Sequence, residues 1–238
     1  ACIGDKERYY YQAADFLKQG IRHNPRDYRL YFDLGFGIYS EKIEDYEKAV
    51  LYLSEAVKQP HERWVPRMLY LALEENGQYE QALEGWKEYQ IKFSDTGSDT
   101  PERFIKRNTA LMHEQKAEDL KKQAKVAFGA EAESLRAEAE GHLEKAREIW
   151  LDMNEPYSQA RLLRLEALDL REEERYIEAN ALLGHARQLS GSLHKELSDL
   201  IIEIKQEGGI PLAVTEQKQL IRESVDGCEG MPEEYRNS

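Results

Sequence analysis

The chain is poor in cysteine, with two in 238 residues, Cys2 and Cys228, near opposite ends. They match no metal-ligand spacing and no redox dipeptide, and they leave the compartment unassigned. Long apolar runs are missing as well. Nothing approaches the roughly 18 consecutive apolar residues of a spanning helix, and no stretch has the h-region of a signal peptide. Positive charge is in deficit: 33 Lys and Arg against 46 Asp and Glu give a formal −13, which repels phosphate backbones, so nucleic-acid binding is not expected. Glycine (15) and proline (7) are too scarce to interrupt the chain often. What remains is 41% hydrophobic and 33% charged, the composition of a soluble helical protein large enough for one or two cored domains.

Signatures of catalysis are absent too. His61-Glu62 and His113-Glu114 begin like a zinc-protease HExxH, but neither has the second histidine that would complete an i, i+4 pair on one helix face. There is no GxGxxG, GxxxxGK[ST] or GxSxG. His142, His185 and His194 stand alone in the sequence and are read as solvated or capping residues. The acidic pair Glu74-Glu75 and the run Glu172-Glu173-Glu174 read as solvated faces. No enzyme, cofactor or metal site is expected.

Present instead is a repeat. Tyr46, Ala49, Leu53 and Ala56 are spaced 0, +3, +7, +10, one stripe of an amphipathic helix. The same order recurs as Tyr10, Ala13, Leu17, Gly20, and as Tyr79, Ala82, Trp86, Tyr89. It returns as Leu143, Ala146, Trp150, Met153, and as Tyr176, Ala179, Leu183, Ala186. The central alanines are 36 residues apart from Ala13 to Ala49 and 33 from Ala49 to Ala82. Ala146 to Ala179 is again 33. A single stripe would be ordinary core; a near-constant interval makes it a repeat.

A second helix precedes each complete copy. Asn24-Pro25 marks the start of one carrying Tyr31, Leu34, Gly35 and Ile38, with Gly35 allowing a neighbour to approach closely. Leu69 and Leu73 mark the next, and Asn76-Gly77 turns it into its partner. On Leu34-Gly35, Tyr46, Ala49, Leu53, Ala56, Leu69, Gly77, Tyr79, Ala82 and Trp86 the chain resembles the tetratricopeptide repeat (TPR) family, whose unit is a helix–turn–helix of about 34 residues. Two departures stand out. Tyr70 sits where a small residue is usual, and SEKIED adds two residues to one turn.

The resemblance implies an all-α fold, a TPR-like right-handed solenoid of antiparallel pairs over 28–42/45–59, 64–76/79–92 and 156–173/176–190. Residues 1–94 form repeats, the first entered partway, and 95–101 a linker. Residues 102–153 form an elongated helical hairpin in place of a repeat, with a coiled-coil arm as the alternative. TPR-like helices follow over 154–207, then a short helix (215–225) and a tail within 208–238. Shifting by 36 lays Cys2 on Ile38, so Cys2 is read as a core residue rather than a lipid-attachment site.

The resemblance also implies a non-enzymatic scaffold or adaptor that holds a peptide or helix of a partner protein on its concave face, which the first helices line. Residues facing away from the core stripe are Arg29, Phe32, Phe36 and Tyr39, then Trp64, Arg67, Leu71 and Glu74, then Arg161, Arg164, Leu168 and Arg171. Aromatics and arginines are enriched in binding hot spots. The other reading of these aromatics is packing between neighbouring helices. Self-assembly into oligomers is the alternative function. The N-terminal half is also similar to bacterial TPR proteins held at a membrane by an upstream segment, which would lie before Ala1.

Overall fold

The computed structural model describes residues 3–93, 100–214 and 216–218. Cys2, Cys228, residues 95–99 of the expected 95–101 linker, and all of the expected 215–225 helix except 216–218 lie outside the described residues. Among the described residues all regular structure is helical and no strand occurs. The chain divides into two compact units, Ala1–Ile149 and Trp150–Ser238. No helix among the described residues is long and apolar enough to cross a membrane.

The first unit opens with α1 (Ile3–His23), then α2 (Tyr28–Phe32), which continues without a break as a π-helix over Asp33–Ile43. After it come α3 (Tyr46–Val57), α4 (Val65–Glu75), α5 (Tyr79–Lys92) and α6 (Thr100–Ala124). Helix α7 (Gly129–Met153) begins in this unit and ends in the second. Local signals set the boundaries. Asp27 caps α2 by accepting from Arg29 N–H at 3.1 Å, and Asp45 caps α3 by accepting from Lys48 N–H at 3.0 Å. Gly77 (φ +72°) and Gly129 (φ +58°) supply the left-handed residues that a tight reversal needs.

The π-helix is where the two extra residues of SEKIED go. They do not lengthen the turn, which stays as Glu44 and Asp45. Instead, the preceding helix widens over 11 residues and closes with Glu44 in the left-handed region at φ 59°. This changes which side chains face inward. An α-helix advances about 100° per residue and an i→i+5 helix roughly 80°, so seven residues after Phe32 the chain has turned about 130° less. Tyr39, expected beside Phe32 and Phe36, therefore swings onto the core side with Leu34 and Gly35. It is 2% exposed and stacks on Tyr52 with centroids 5.5 Å apart. Ile38, expected in the core stripe, moves to its flank and is half-buried.

The alanine stripes pack as amphipathic helices should. Ala49, Leu53, Ala56, Ala82, Trp86, Ala146, Trp150, Ala179, Leu183 and Ala186 are fully buried, whereas Ala13 is only half-buried and Ala14 takes its place. Gly35 serves close approach: a Cβ there would meet Leu53 Cγ at 2.9 Å. The unusual Tyr70 has its compensation in Gly85, where a Cβ would sit 2.3 Å from the tyrosine ring. That ring packs edge-on to Trp86 (5.3 Å), and Trp86 stacks on Phe104 of α6 at 4.4 Å.

In the second unit α8 (Pro156–Glu172) and α9 (Tyr176–Leu189) are joined by three residues, so α9 runs back along α8. A 3₁₀ turn (Gly191–Leu193) leads into α10 (His194–Glu207). The core is Leu183, Leu193, Leu197, Leu200, Ile201 and Ile204 with small residues between them.

Candidate functional site

The twelve residues assigned to a binding face do not share one fate. Three on the first unit form the aromatic part. Phe32 lies 5.3 Å from Phe36 and meets the Trp64 ring edge-on at 4.8 Å. Phe32 and Phe36 are half-buried against the core, while Trp64 stays 43% exposed at the start of α4. Both readings of the aromatics thus hold in part: the phenylalanines pack between helices, and the tryptophan covers them with one face open. Arg67 and Leu71 continue the Trp64 side of α4 at helical spacing, both half-buried. Arg67 Nε is buried with no hydrogen-bond partner.

Arg29 stands at the edge of this face and is held by its own cap. Its Nε and Nη2 donate to Asp27 at 2.9 and 2.8 Å. Hydrogen bonding to Arg29 holds the Asp27 carboxyl below the usual range, and the same contact raises Arg29. Asp33, one residue after Phe32, is shifted the other way: burial raises it, the Asp27 charge adds to this, and Arg29 opposes. Burial also raises Tyr70, behind the face.

Two assignments in this unit are corrected. Tyr39 is in the core for the reason given above, with Lys18 and Lys48 Nζ over its ring at 5.9 and 5.5 Å. Glu74 is neither a groove residue nor part of a solvated acidic face. It is 4% exposed, its carboxylate contacts the Arg107 guanidinium, and it accepts from Asn108 Nδ2 at 2.8 Å. Helix α6 lies over that end of α4, so the face open on Trp64 is closed by Glu74.

The arginines of α8 are corrected in the same sense. Arg161 Nη1 donates to both oxygens of Glu196 at 3.0 Å, and Arg164 Nε lies 2.6 Å from the same carboxylate. Arg171 Nη1 donates to Glu203 at 3.4 Å and Nε to Glu207 at 2.7 Å. All three carboxylates belong to α10: Glu196 takes both Arg161 and Arg164, one turn apart on α8, and Glu203 and Glu207 together take Arg171. The chain's own helix occupies this surface, and Leu168 packs into the core below it.

Residue separations across these contacts follow one rule. Phe32 meets Trp64, 32 residues on; Glu74 meets Arg107 and Asn108, 33 and 34 on; Arg161 meets Glu196, 35 on; Arg171 meets Glu207, 36 on. Within each unit, helices two elements apart are therefore in contact at nearly constant register.

Sequence reading missed one cluster. His113 of α6 and His142 of α7, read as unconnected, meet with their Nδ1 atoms 2.7 Å apart. Among the described residues no group of three or more His, Cys, Asp or Glu is placed to hold a metal ion. No family model matches the chain, and no curated protein matches it either.

Proposed function

We propose that the chain is a TPR-like scaffold that binds a peptide or helix of a partner protein on the face built by α2 and α4. The observation that carries this reading is the Phe32–Phe36–Trp64 cluster, a large aromatic anchor left 43% exposed beside the half-buried Arg67. Apolar aromatic surface next to a desolvated cation is the composition of interface hot spots. The register of 32 to 36 residues between contacting helices supports stacking in the TPR manner, with the first helix of each pair beside the first helix of the next. In that arrangement α6 takes the place of the next first helix after α4, and α10 the place of the one after α8. The arginines of α8 then serve stacking within the chain, which leaves the α2–α4 face as the binding surface.

A second reading has its own observation. Tyr9 (67%) and Phe16 (73%) are exposed on one face of α1, seven residues apart, an apolar surface that self-association would cover. One experiment separates the two. Peptides selected from a display library on the full chain are titrated against wild type and Trp64→Ala, with the association state followed by sedimentation. The scaffold reading expects a monomer whose selected peptides weaken roughly thirtyfold or more, about 2 kcal/mol, on losing Trp64. Concentration-dependent dimers that Phe16→Ser abolishes, with no enriched peptide, favour self-assembly.

A further inference from the structure

The His113–His142 contact, made by two residues of the first unit, joins two 25-residue helices. Its geometry is close to head-on. The Nδ1 atoms are 2.7 Å apart and the ring centroids 5.0 Å, the separation that results when the two nitrogens point almost directly at each other. Such a contact holds one proton between the nitrogens: one ring donates its N–H and the other accepts with its lone pair. We propose that this pair is a proton-operated latch between α6 and α7, closed while the two rings share one proton and opened when the accepting nitrogen is protonated.

The proton count follows from the donor inventory. In the neutral pair, the donor ring carries its proton on Nδ1 and has a free lone pair on Nε2. A first added proton binds that Nε2, which makes the donor cationic and leaves the N–H···N bond in place. A second can bind only the Nδ1 that is accepting. Two N–H groups then face each other across 2.7 Å, each on a cation, and the rings must part. The surroundings favour opening at that stage. Lys116 of α6 and Lys145 of α7 oppose charge on both rings, and Glu138 of α7 is the acidic group that favours it on His142.

Burial comes first among the causes that hold both imidazoles below their usual value of 6.5. On His113 it is reinforced by His142 and the two lysines, and on His142 by the lysines. The sign is that of depressed groups. The unfolded chain binds these protons more readily than the folded one, so the contact's contribution is complete above pH 6.5 and declines as pH falls below it.

The test is hydrogen exchange by mass spectrometry on the full chain at about pH 7.5 and pH 5, corrected for intrinsic rates, with imidazole nitrogen NMR followed through the same range. In wild type the two rings should titrate in two separated steps. The second step should coincide with a fall of about tenfold or more in protection over 105–120 and 135–147, while α8–α10 stays unchanged. His113→Asn places an amide beside His142 Nδ1 that hydrogen-bonds but does not protonate in this range, so protection in that variant should be independent of pH. Two rings titrating independently in single steps would overturn the latch, even if the variant failed to fold. The same pH response in His113→Asn would also overturn it. So would one equivalent of Zn²⁺ bound at neutral pH and lost in that variant, which would make the pair a metal site instead.

Discussion

Glu74→Ala should destabilise the first unit by about 3–5 kcal/mol, the cost of breaking a buried ion pair from one side. The estimate rests on burial: the Glu74 side chain is 3% exposed, that of Arg107 20%, and Asn108 is wholly buried. Truncation removes the carboxylate that contacts the guanidinium and takes one of two acceptors from Asn108 Nδ2, which keeps Phe104 C=O at 2.9 Å. The cost should therefore come mainly from the arginine. In a double-mutant cycle with Arg107→Ala, the coupling should be about 2–3 kcal/mol. Replacing all three groups together, as Glu74→Leu, Arg107→Leu and Asn108→Leu, should leave stability near or above wild type, since no buried charge is then left behind. Urea unfolding followed by circular dichroism and tryptophan fluorescence measures each variant, with Trp86 reporting locally through its stack on Phe104. A coupling of less than about 0.5 kcal/mol is the value of an exposed pair and would refute the view that α6 is locked onto α4 at Glu74.

Two further outcomes can be checked in the same way. Gly85→Ala should cost at least about 2 kcal/mol because its Cβ would meet the Tyr70 ring at 2.3 Å, and Tyr70→Ala in the same chain should recover part of it; thermal melting of both variants decides this. Glu196→Gln should loosen α10, since both Arg161 and Arg164 contact that carboxylate, and hydrogen exchange over 194–207 should rise while α4–α5 is unaffected.

The helical stripes were legible because a 3.6-residue period with small residues at the contact points leaves few other structures open to those segments. Ala49, Leu53, Ala82 and Trp86 needed no tertiary information. Tyr39 belongs beside Phe32 and Phe36 only at an α-helical period, and the two inserted residues are absorbed as a wider helix rather than a longer turn. A two-residue surplus ahead of Asp45 was the available signal. Glu74 and the α8 arginines were misplaced for a different reason. Their partners lie 33 to 36 residues away, and an acidic or basic residue on the non-core side of a helix looks the same whether it meets solvent or a complementary charge. The complementary charges were present: Arg161 and Arg164 against Glu196, and Arg171 against Glu203 and Glu207. His113 and His142 carried no such pattern, since no motif spacing links two residues 29 apart across a hairpin.

The central claim, that the α2–α4 aromatic face receives a protein ligand, is tested most directly by tryptophan fluorescence. Trp86 and Trp150 are fully buried and Trp64 is 43% exposed, so a single residue of the three is open to a collisional quencher. Acrylamide or iodide quenching of wild type should show one accessible component, absent in Trp64→Phe and removed when a library-selected peptide binds. A peptide that binds while the Trp64 component stays fully quenchable would place the binding surface elsewhere and contradict the account.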